Sequence, residues 1–212
     1  MNIAELRREY TMAGLTEADL AADPIDQFQK WFDEALKAGI IEPNAMVLAT
    51  ATLTGLPSSR AVLLKRVDRD GFTFFTNYES RKARELAENP HASLTFPWFA
   101  LERQVIVTGV TTEVSREKSA DYFKMRPRGS RLGAWVSTQS QVIPDRKYLE
   151  TRLRELETKF PGEEIPLPPS WGGYLLRPNE IEFWQGRPNR LHDRLRYTRQ
   201  SNNSWRIDRL SP

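Results

Sequence analysis

Cysteine is absent from the 212 residues, and histidine occurs only twice, as His91 and His192. The first absence excludes disulfides and thiolate-bound metals, and it fits a cytoplasmic protein. The second leaves too few imidazoles for a zinc centre without clustered carboxylates, and none cluster suitably. No apolar run approaches the ~20 residues needed to span a bilayer. The opening Met1-Asn2-Ile3-Ala4-Glu5-Leu6-Arg7-Arg8 lacks the apolar stretch of a secretion signal. Also missing are a Gly-x-Gly-x-x-Gly turn, a Walker loop, a Gly-x-Ser-x-Gly elbow and any internal repeat. An enzyme without these devices is expected to leave the hard chemistry to a bound cofactor.

What is present is an ordinary globular composition, with 39% hydrophobic and 28% charged residues. The length suits one substantial core and not two roomy domains. Lys and Arg total 31 against 28 Asp and Glu, a formal charge of +3. The placement of the arginines says more than the balance. They gather in short segments between strands, a pattern that favours discrete phosphate sites over a broad nucleic-acid face.

Asp23-Pro24 predicts a helix start, with Ile25, Phe28, Phe32, Ala35 and Leu36 at helical spacing and Gly39 as the stop. Residues 1–22 before it are polar and weakly anchored, a mobile segment or one that lies over something. From Met46 the period changes. Met46–Ala51, Arg60–Val67 and Phe72–Thr76 read as an antiparallel meander, joined by turn-forming segments. Ser80 starts a short helix that Asn89-Pro90 ends. Strands Ala92–Trp98 and Gln104–Val114 follow, and Ser115 caps a helix to about Met125. Asp145–Phe160 is a surface helix. After a proline-rich connector, Trp171–Leu176, Ile181–Gln185, Leu195–Arg199 and Trp205–Arg209 complete roughly nine strands. Many short antiparallel strands with interrupting helices indicate an α+β protein built on a β-barrel, one domain over 23–212.

Several segments carry chemistry. In a strand, Arg60 and Lys65 point to opposite faces, so they serve different sites or flank a sheet edge, unless they are simply the solvated ends of the strand. Thr76 to Lys82 turns a strand end into a helix start, where free N–H groups, a hydroxyl and Arg81 and Lys82 make either an anion site or a plain capped helix. Gln104 could hydrogen-bond a flat heterocycle or sit at the surface. Tyr122, Arg126, Arg128 and Ser130 lie within nine residues at a helix end, donors that suit a phosphate monoester. Ala134 to Ser140 is a further polar end after an apolar run. In extended chain Arg190, His192 and Arg194 share one face, and two cations there would lower the imidazole pKa.

Taken in order, RAVLLK (60–65), SRKA (80–83), FPW (96–98), LERQV (101–105), YFKMRPR (122–128), GAWVS (133–137), QS (139–140), WGG (171–173), IEFWQG (181–186) and RLHDR (190–194) resemble the pyridoxine (pyridoxamine) 5'-phosphate oxidase family over nearly the whole chain. The resemblance implies a homodimeric FMN-binding split β-barrel with peripheral helices, each flavin site being shared between subunits. It implies Arg60 and Lys82 on the FMN phosphate, helped by Arg81 and Ser140. Ala61, Val62, Leu63, Leu64, Lys65, Phe75, Thr76, Gln104, Gln139, Trp184 and Arg194 would line the ribityl chain and isoalloxazine. Lys65, Tyr122, Arg126 and Ser130 match the clamp for the substrate phosphate, and Arg190 and His192 the pair over the pyridine ring. Arg7 and Tyr10 match an N-terminal segment covering the site. Phe75 stands where some relatives carry tyrosine, and the stretch Arg187-Pro188-Asn189 carries no assigned role. The implied reaction oxidises pyridoxine 5'-phosphate or pyridoxamine 5'-phosphate to pyridoxal 5'-phosphate by hydride transfer from C4' to flavin N5, with O2 reduced to H2O2. Two rivals remain at this stage: a phenazine-pathway oxidase on the same barrel, and a non-catalytic flavin- or RNA-binding protein.

Overall fold

The chain's first long helix begins where a carboxylate can cap it: Asp23 accepts a hydrogen bond from the Ile25 N–H, and Pro24 occupies the first turn. This helix, α1 (Pro24–Lys37), ends before Gly39, whose φ of 69° turns the chain in the left-handed region. Its buried face is Ile25, Phe28, Trp31 and Ala35, while Leu36 is exposed. The computed structural model describes residues 2–5 and 9–212, so Arg7 lies outside the described residues.

Among the described residues nine strands form one sheet, and every pairing in it is antiparallel. The strands are β1 (Ala45–Ala51), β2 (Pro57–Leu63), β3 (Arg66–Asp68), β4 (Gly71–Asn77), β5 (His91–Trp98), β6 (Arg103–Glu113), β7 (Trp171–Gln185), β8 (Asp193–Arg199) and β9 (Trp205–Arg209). The order runs β2-β1-β5-β6-β7-β4-β3, with β8 and β9 added beside β7. Only Leu64 and Lys65 join β2 to β3, which stand at opposite ends of that path. The sheet must therefore curl to bring its ends together, and it forms a split barrel, not a flat layer. The helices α2 (Arg81–Glu88), α3 (Arg116–Met125), α4 (Arg128–Val136) and α5 (Arg146–Lys159) lie outside it in sequence order.

Three strand readings from sequence need correction. The run 60–67 is not one strand: the Leu64 N–H donates to the Asn44 carbonyl, and the Lys65 N–H to that of Thr73. The chain thus leaves the β1 ladder and joins β4, so β1, β2 and β4 are not a meander. Phe72–Thr76 pairs with β3 and β7 instead of β2. Trp171–Leu176 and Ile181–Gln185 are one long strand, whose first half pairs with β4 and second half with β8. A bulge between Thr108 and Gly109 of β6 absorbs the Arg177–Asn179 stretch between them. A Cβ on Gly109 would lie 2.0 Å from the Arg177 carbonyl oxygen, so only glycine fits this close approach.

The packing divides in two. The main core places Phe28, Trp31 and Ala35 of α1 against Met46, Leu48, Phe72, Phe96, Val107, Phe183 and Tyr197 of the sheet. Each such aromatic or aliphatic side chain contributes roughly 1.5–3 kcal/mol through burial. A second cluster gathers Phe123, Leu132, Val136, Leu156, Ile165 and Trp171, with Phe75 and Tyr122 at its edge. It holds α3, α4 and α5 against the end of the barrel where β4 ends and β7 begins. The helix α4 is absent from the sequence reading, because Gly129 and Gly133 interrupt it and Trp135-Val136 favours extended chain. Leu132 and Val136 make it a helix through burial.

Residues 9–22 are better anchored than their composition implies. Leu15 is 4% exposed in the main core, and its N–H donates to Asp193. Thr11 and Met12 donate their N–H groups to the buried Glu102 carboxylate. The tie is to partners 90 or more residues away, which local pattern cannot show.

Candidate functional site

Between the barrel end and the second helical cluster lies a cavity of ≈ 660 Å³. Arg60, Ala61, Val62, Leu63 and Lys65 form one wall, and Phe75, Thr76, Asn77 and Lys82 the floor. Tyr122, Arg126, Ser130, Gln139 and Trp171 close the far side. Arg60 and Lys65 therefore meet in one cavity, contrary to the opposite faces expected of a continuous strand. The break after Leu63 undoes the alternation.

One end of the cavity is built on the start of α2. The Ser80 hydroxyl caps the helix by accepting from the Ala83 N–H. Lys82, 8% exposed, then points its ammonium, among the described residues, at neutral oxygens only: Gln139 Oε1 at 2.7 Å, Thr76 Oγ1 at 3.2 Å and Ser80 Oγ at 3.3 Å. Burial first, and Arg60 second, push its pKa down to about 8. Arg60 donates through Nη1 to the Leu48 carbonyl and Thr50 Oγ1, and through Nη2 to Ser58 Oγ and Glu85. Arg81 and Ser140 are not among the lining residues; the Arg81 N–H donates to Ser140 Oγ and its Nε lies 2.8 Å from Glu85. Burial acts to raise the Glu85 pKa, but hydrogen bonds from Ser58, Thr50 and Arg81 outweigh it and hold the carboxyl at about 2.

The other end is built where Pro127 stops α3. Arg126 takes an extended backbone there (φ −73°, ψ 144°), as a residue before proline must. Its Nη1 is buried and finds no hydrogen-bond partner among the described residues. Its guanidinium carbon lies 4.7 Å from the Trp171 ring centroid. Burial lowers the Arg126 pKa and Tyr122 partly opposes this, but guanidinium stays charged at any physiological pH. Phe75, Tyr122 and Trp171 stack nearly parallel, with Phe75 4.1 Å from Tyr122 at 18° and 5.4 Å from Trp171 at 8°. The cavity thus has a flat aromatic wall between two cationic ends.

The remaining sequence candidates stand elsewhere. Leu64 is buried in the main core. Gln104 and Trp184 face each other across β6 and β7 and line a separate recess of ≈ 330 Å³ with Tyr10, Phe99, Glu102 and Arg103. Tyr10 meets Trp184 edge-on at 5.6 Å and His192 at 5.5 Å, and Trp184 lies 4.6 Å from His192. The expected shared face of Arg190, His192 and Arg194 is absent. Asn189 and Arg190 take φ values of 56° and 62°, so the chain turns here and does not extend. Arg190 is exposed. Arg194 is committed to Glu182, with Nε to Oε1 at 2.7 Å and Nη2 to Oε2 at 3.0 Å. The His192 pKa is lowered, by burial first and Arg190 second, while Asp193 opposes them.

Sequence reasoning passed over four contributors. Glu85 drew no reading from the sequence, yet it is 4% exposed and pairs with both Arg60 and Arg81. Asn77, also buried, donates to the Ser137 carbonyl and ties β4 to the exit of α4. Trp171 opened a recognised motif without a role. Arg187 donates its backbone N–H to His192 Nδ1 at 3.1 Å, which leaves the neutral ring's proton on Nε2. Only the buried i,i+4 pairing of Arg81 with Glu85 had a local signal.

A family model described as pyridoxamine 5'-phosphate oxidase matches residues 32–160. Another, described as the pyridoxine 5'-phosphate oxidase C-terminal dimerisation region, matches residues 171–212. The pyridoxine/pyridoxamine 5'-phosphate oxidase of Nostoc punctiforme is 57% identical over 210 residues, spanning 99% of this chain and 98% of that protein. That of Rubrobacter xylanophilus is 58% identical over 211 residues, spanning 100% and 97%. The crystal structure of PhzG from Burkholderia lata 383 in complex with tetrahydrophenazine-1-carboxylic acid superposes with a TM-score of 0.90 at 33% identity, covering 97% of this chain and 100% of that one. A pyridoxamine 5'-phosphate oxidase-related, FMN binding protein from Nostoc punctiforme shares the fold, with a TM-score of 0.72 at 18% identity over 91% of this chain and 100% of that one.

Proposed function

The chain belongs to the pyridoxamine 5'-phosphate oxidase family, and from that premise we propose that it oxidises pyridoxine 5'-phosphate and pyridoxamine 5'-phosphate to pyridoxal 5'-phosphate with FMN as its resident cofactor. The observation that carries this reading is the pair of cations at the two ends of one cavity. Among the described residues, Arg126 keeps a buried N–H without partner, and Lys82 has only neutral ones. A buried cation without a counter-charge is costly, and a phosphate at each end removes that cost. The donor set fits FMN: Lys82, Arg60, Arg81, Thr76 and Ser140 for its phosphate, and Ala61, Val62, Leu63, Lys65, Phe75 and Gln139 along its length. Arg126, Lys65, Tyr122 and Ser130 then take the phosphate of the vitamer.

When bound, the flavin would supply the two-electron oxidation at C4', with O2 as the final acceptor and water releasing ammonia where the substrate is the amine. The protein's own share is orientation. A phosphate held by Arg126 and Lys65 turns remote binding energy into alignment of the reacting carbon. His192 stays neutral near pH 7, because its pKa is depressed, and presents Nε2–H as a donor to the ring's polar substituents. The bond from Arg187 occupies Nδ1, so His192 acts as a donor and Arg190 steadies the ring by charge.

Tyr10, Gln104, Trp184, Arg190, His192 and Arg194 do not line the cavity of their own chain. From Trp184 onward these residues fall within the segment matched by the dimerisation-region model. Two copies, each lending this group to the other's cavity, give complete sites, with the N-terminal segment carrying Tyr10 across as a cover. A phenazine-pathway oxidase is the second reading, favoured by the structural likeness to PhzG. It has no need for a phosphate clamp at Arg126. The deciding experiment is the visible spectrum of the purified protein, followed by peroxide release on adding pyridoxine 5'-phosphate. A colourless protein, or a yellow one that yields no peroxide, overturns the reading. Replacing Arg126 by Ala should raise KM steeply with a smaller loss of kcat, since a grip on phosphate is similar in ground and transition states.

A further inference from the structure

Arg126 faces an unusual problem for a buried guanidinium. Among the described residues no carboxylate pairs with it, and its long side chain would be free to sample several rotamers before an anion arrived. What it has instead is an aromatic face. The guanidinium carbon stands 4.7 Å over Trp171 and 5.6 Å over Phe123. Of these the indole is the closer and the stronger partner, because its ring quadrupole attracts a cation best among the aromatic side chains.

Trp171 is itself held fast. It is 6% exposed, stacks on Phe75 at 5.4 Å and 8°, and receives the edge of Phe123 at 5.2 Å and 63°. Its carbonyl accepts from Arg116 Nη1 at 2.8 Å, and its N–H donates to the Pro168 carbonyl. The platform under Arg126 therefore cannot tilt without disturbing β7, α3 and the proline-rich connector together. A rigid surface of this kind orders a flexible cation before the ligand binds, which lowers the entropy lost on binding.

We infer that Trp171 is a positioning residue for the substrate-phosphate arginine: its indole face presets the Arg126 guanidinium at the cavity wall. The inference rests on the proposed reading of the cavity, in which Arg126 grips a phosphate. It makes Trp171 act on the phosphate grip through Arg126, without taking part in the chemistry at the reacting atoms. Trp171 is also part of the second core cluster, so stability and grip must be measured apart.

The test compares W171F and W171L in the flavin-loaded enzyme, because the two side chains fill similar volumes but only phenylalanine offers a π face. Turnover of pyridoxine 5'-phosphate, inhibition by inorganic phosphate and thermal unfolding are recorded for each. W171F is expected to raise KM about threefold and W171L about tenfold or more, following the loss of ring quadrupole. The inhibition constant of inorganic phosphate should rise in the same order, with kcat falling less than KM rises. Equal KM values in the two variants overturn the inference, as does a loss confined to kcat. Should W171L fail to fold, W171F against wild type decides it, and an unchanged KM there is the overturning result. The underlying reading is judged separately: wild-type protein that does not turn over pyridoxine 5'-phosphate defeats the reading itself, whatever the variants do.

Discussion

Lys82 and Arg126 both sit in a low-dielectric pocket, yet they respond to it differently. Guanidinium keeps its proton, so Arg126 is a fixed charge. Ammonium does not, and Lys82 in the anion-free protein titrates at about 8. Below that pH it is charged and ready for phosphate; as pH rises through it the proton leaves and must be regained on binding. FMN affinity measured by flavin fluorescence should therefore weaken by up to about tenfold per pH unit above 8. Riboflavin, which lacks the phosphate, should show no such slope, and K82R should flatten it. His192 gives a second titration with the opposite concern. Its neutral donor form is lost as pH falls through a midpoint below 6.5. Replacing Arg190 by Ala removes a neighbouring cation, so the acid limb of the kcat profile should move to higher pH. A limb that stays in place would detach Arg190 from the imidazole.

At the scale of elements, the informative places are junctions. Ser80 ends one strand's reach and begins α2, and thereby fixes where Lys82 points. Such caps were legible, because Ser80, Ser115, Asp23 and Asp145 all stand before helical patterns, and each accepts a backbone N–H in the structure. The junction at Leu64-Lys65 was not legible. An apolar run gives no sign of which neighbour it will pair with at each end, so a change of ladder inside it leaves no local mark. The bulge at Gly109 is equally silent in sequence, and it is where β7 passes from one partner to another. Substituting Gly109 by Ala forces the Arg177 carbonyl aside, and a loss of about 1–3 kcal/mol is expected in denaturant unfolding. Such a bend also reorients the second half of β7, so Trp184 fluorescence should shift with it.

For the whole molecule, the decisive question is how one chain's residues divide between two cavities. The barrel and its helices bring Arg60, Lys65, Lys82 and Arg126 to one cavity, whereas Trp184 and His192 gather at another recess. Mixing Arg126→Ala chains with His192→Ala chains tests the proposed sharing. In random dimers half are mixed and each mixed dimer holds one intact site, so activity should recover to about a quarter of wild type. No recovery, from chains shown to exchange, would place each site within a single subunit.

The amino-acid order alone determined the starts of α1, α2, α3 and α5, most strands, the α+β class and the segments that bear cations, because caps, turns and periodicity act over a few residues. It also carried the family resemblance, which residues far apart in the chain express together. Only the tertiary structure decided that Arg60 and Lys65 share a cavity, that α4 is a helix, that Glu85 and Trp171 orient the arginines, and that Arg194 is taken up by Glu182. Each of these depends on partners distant in sequence, where burial and pairing override the local preference of the chain.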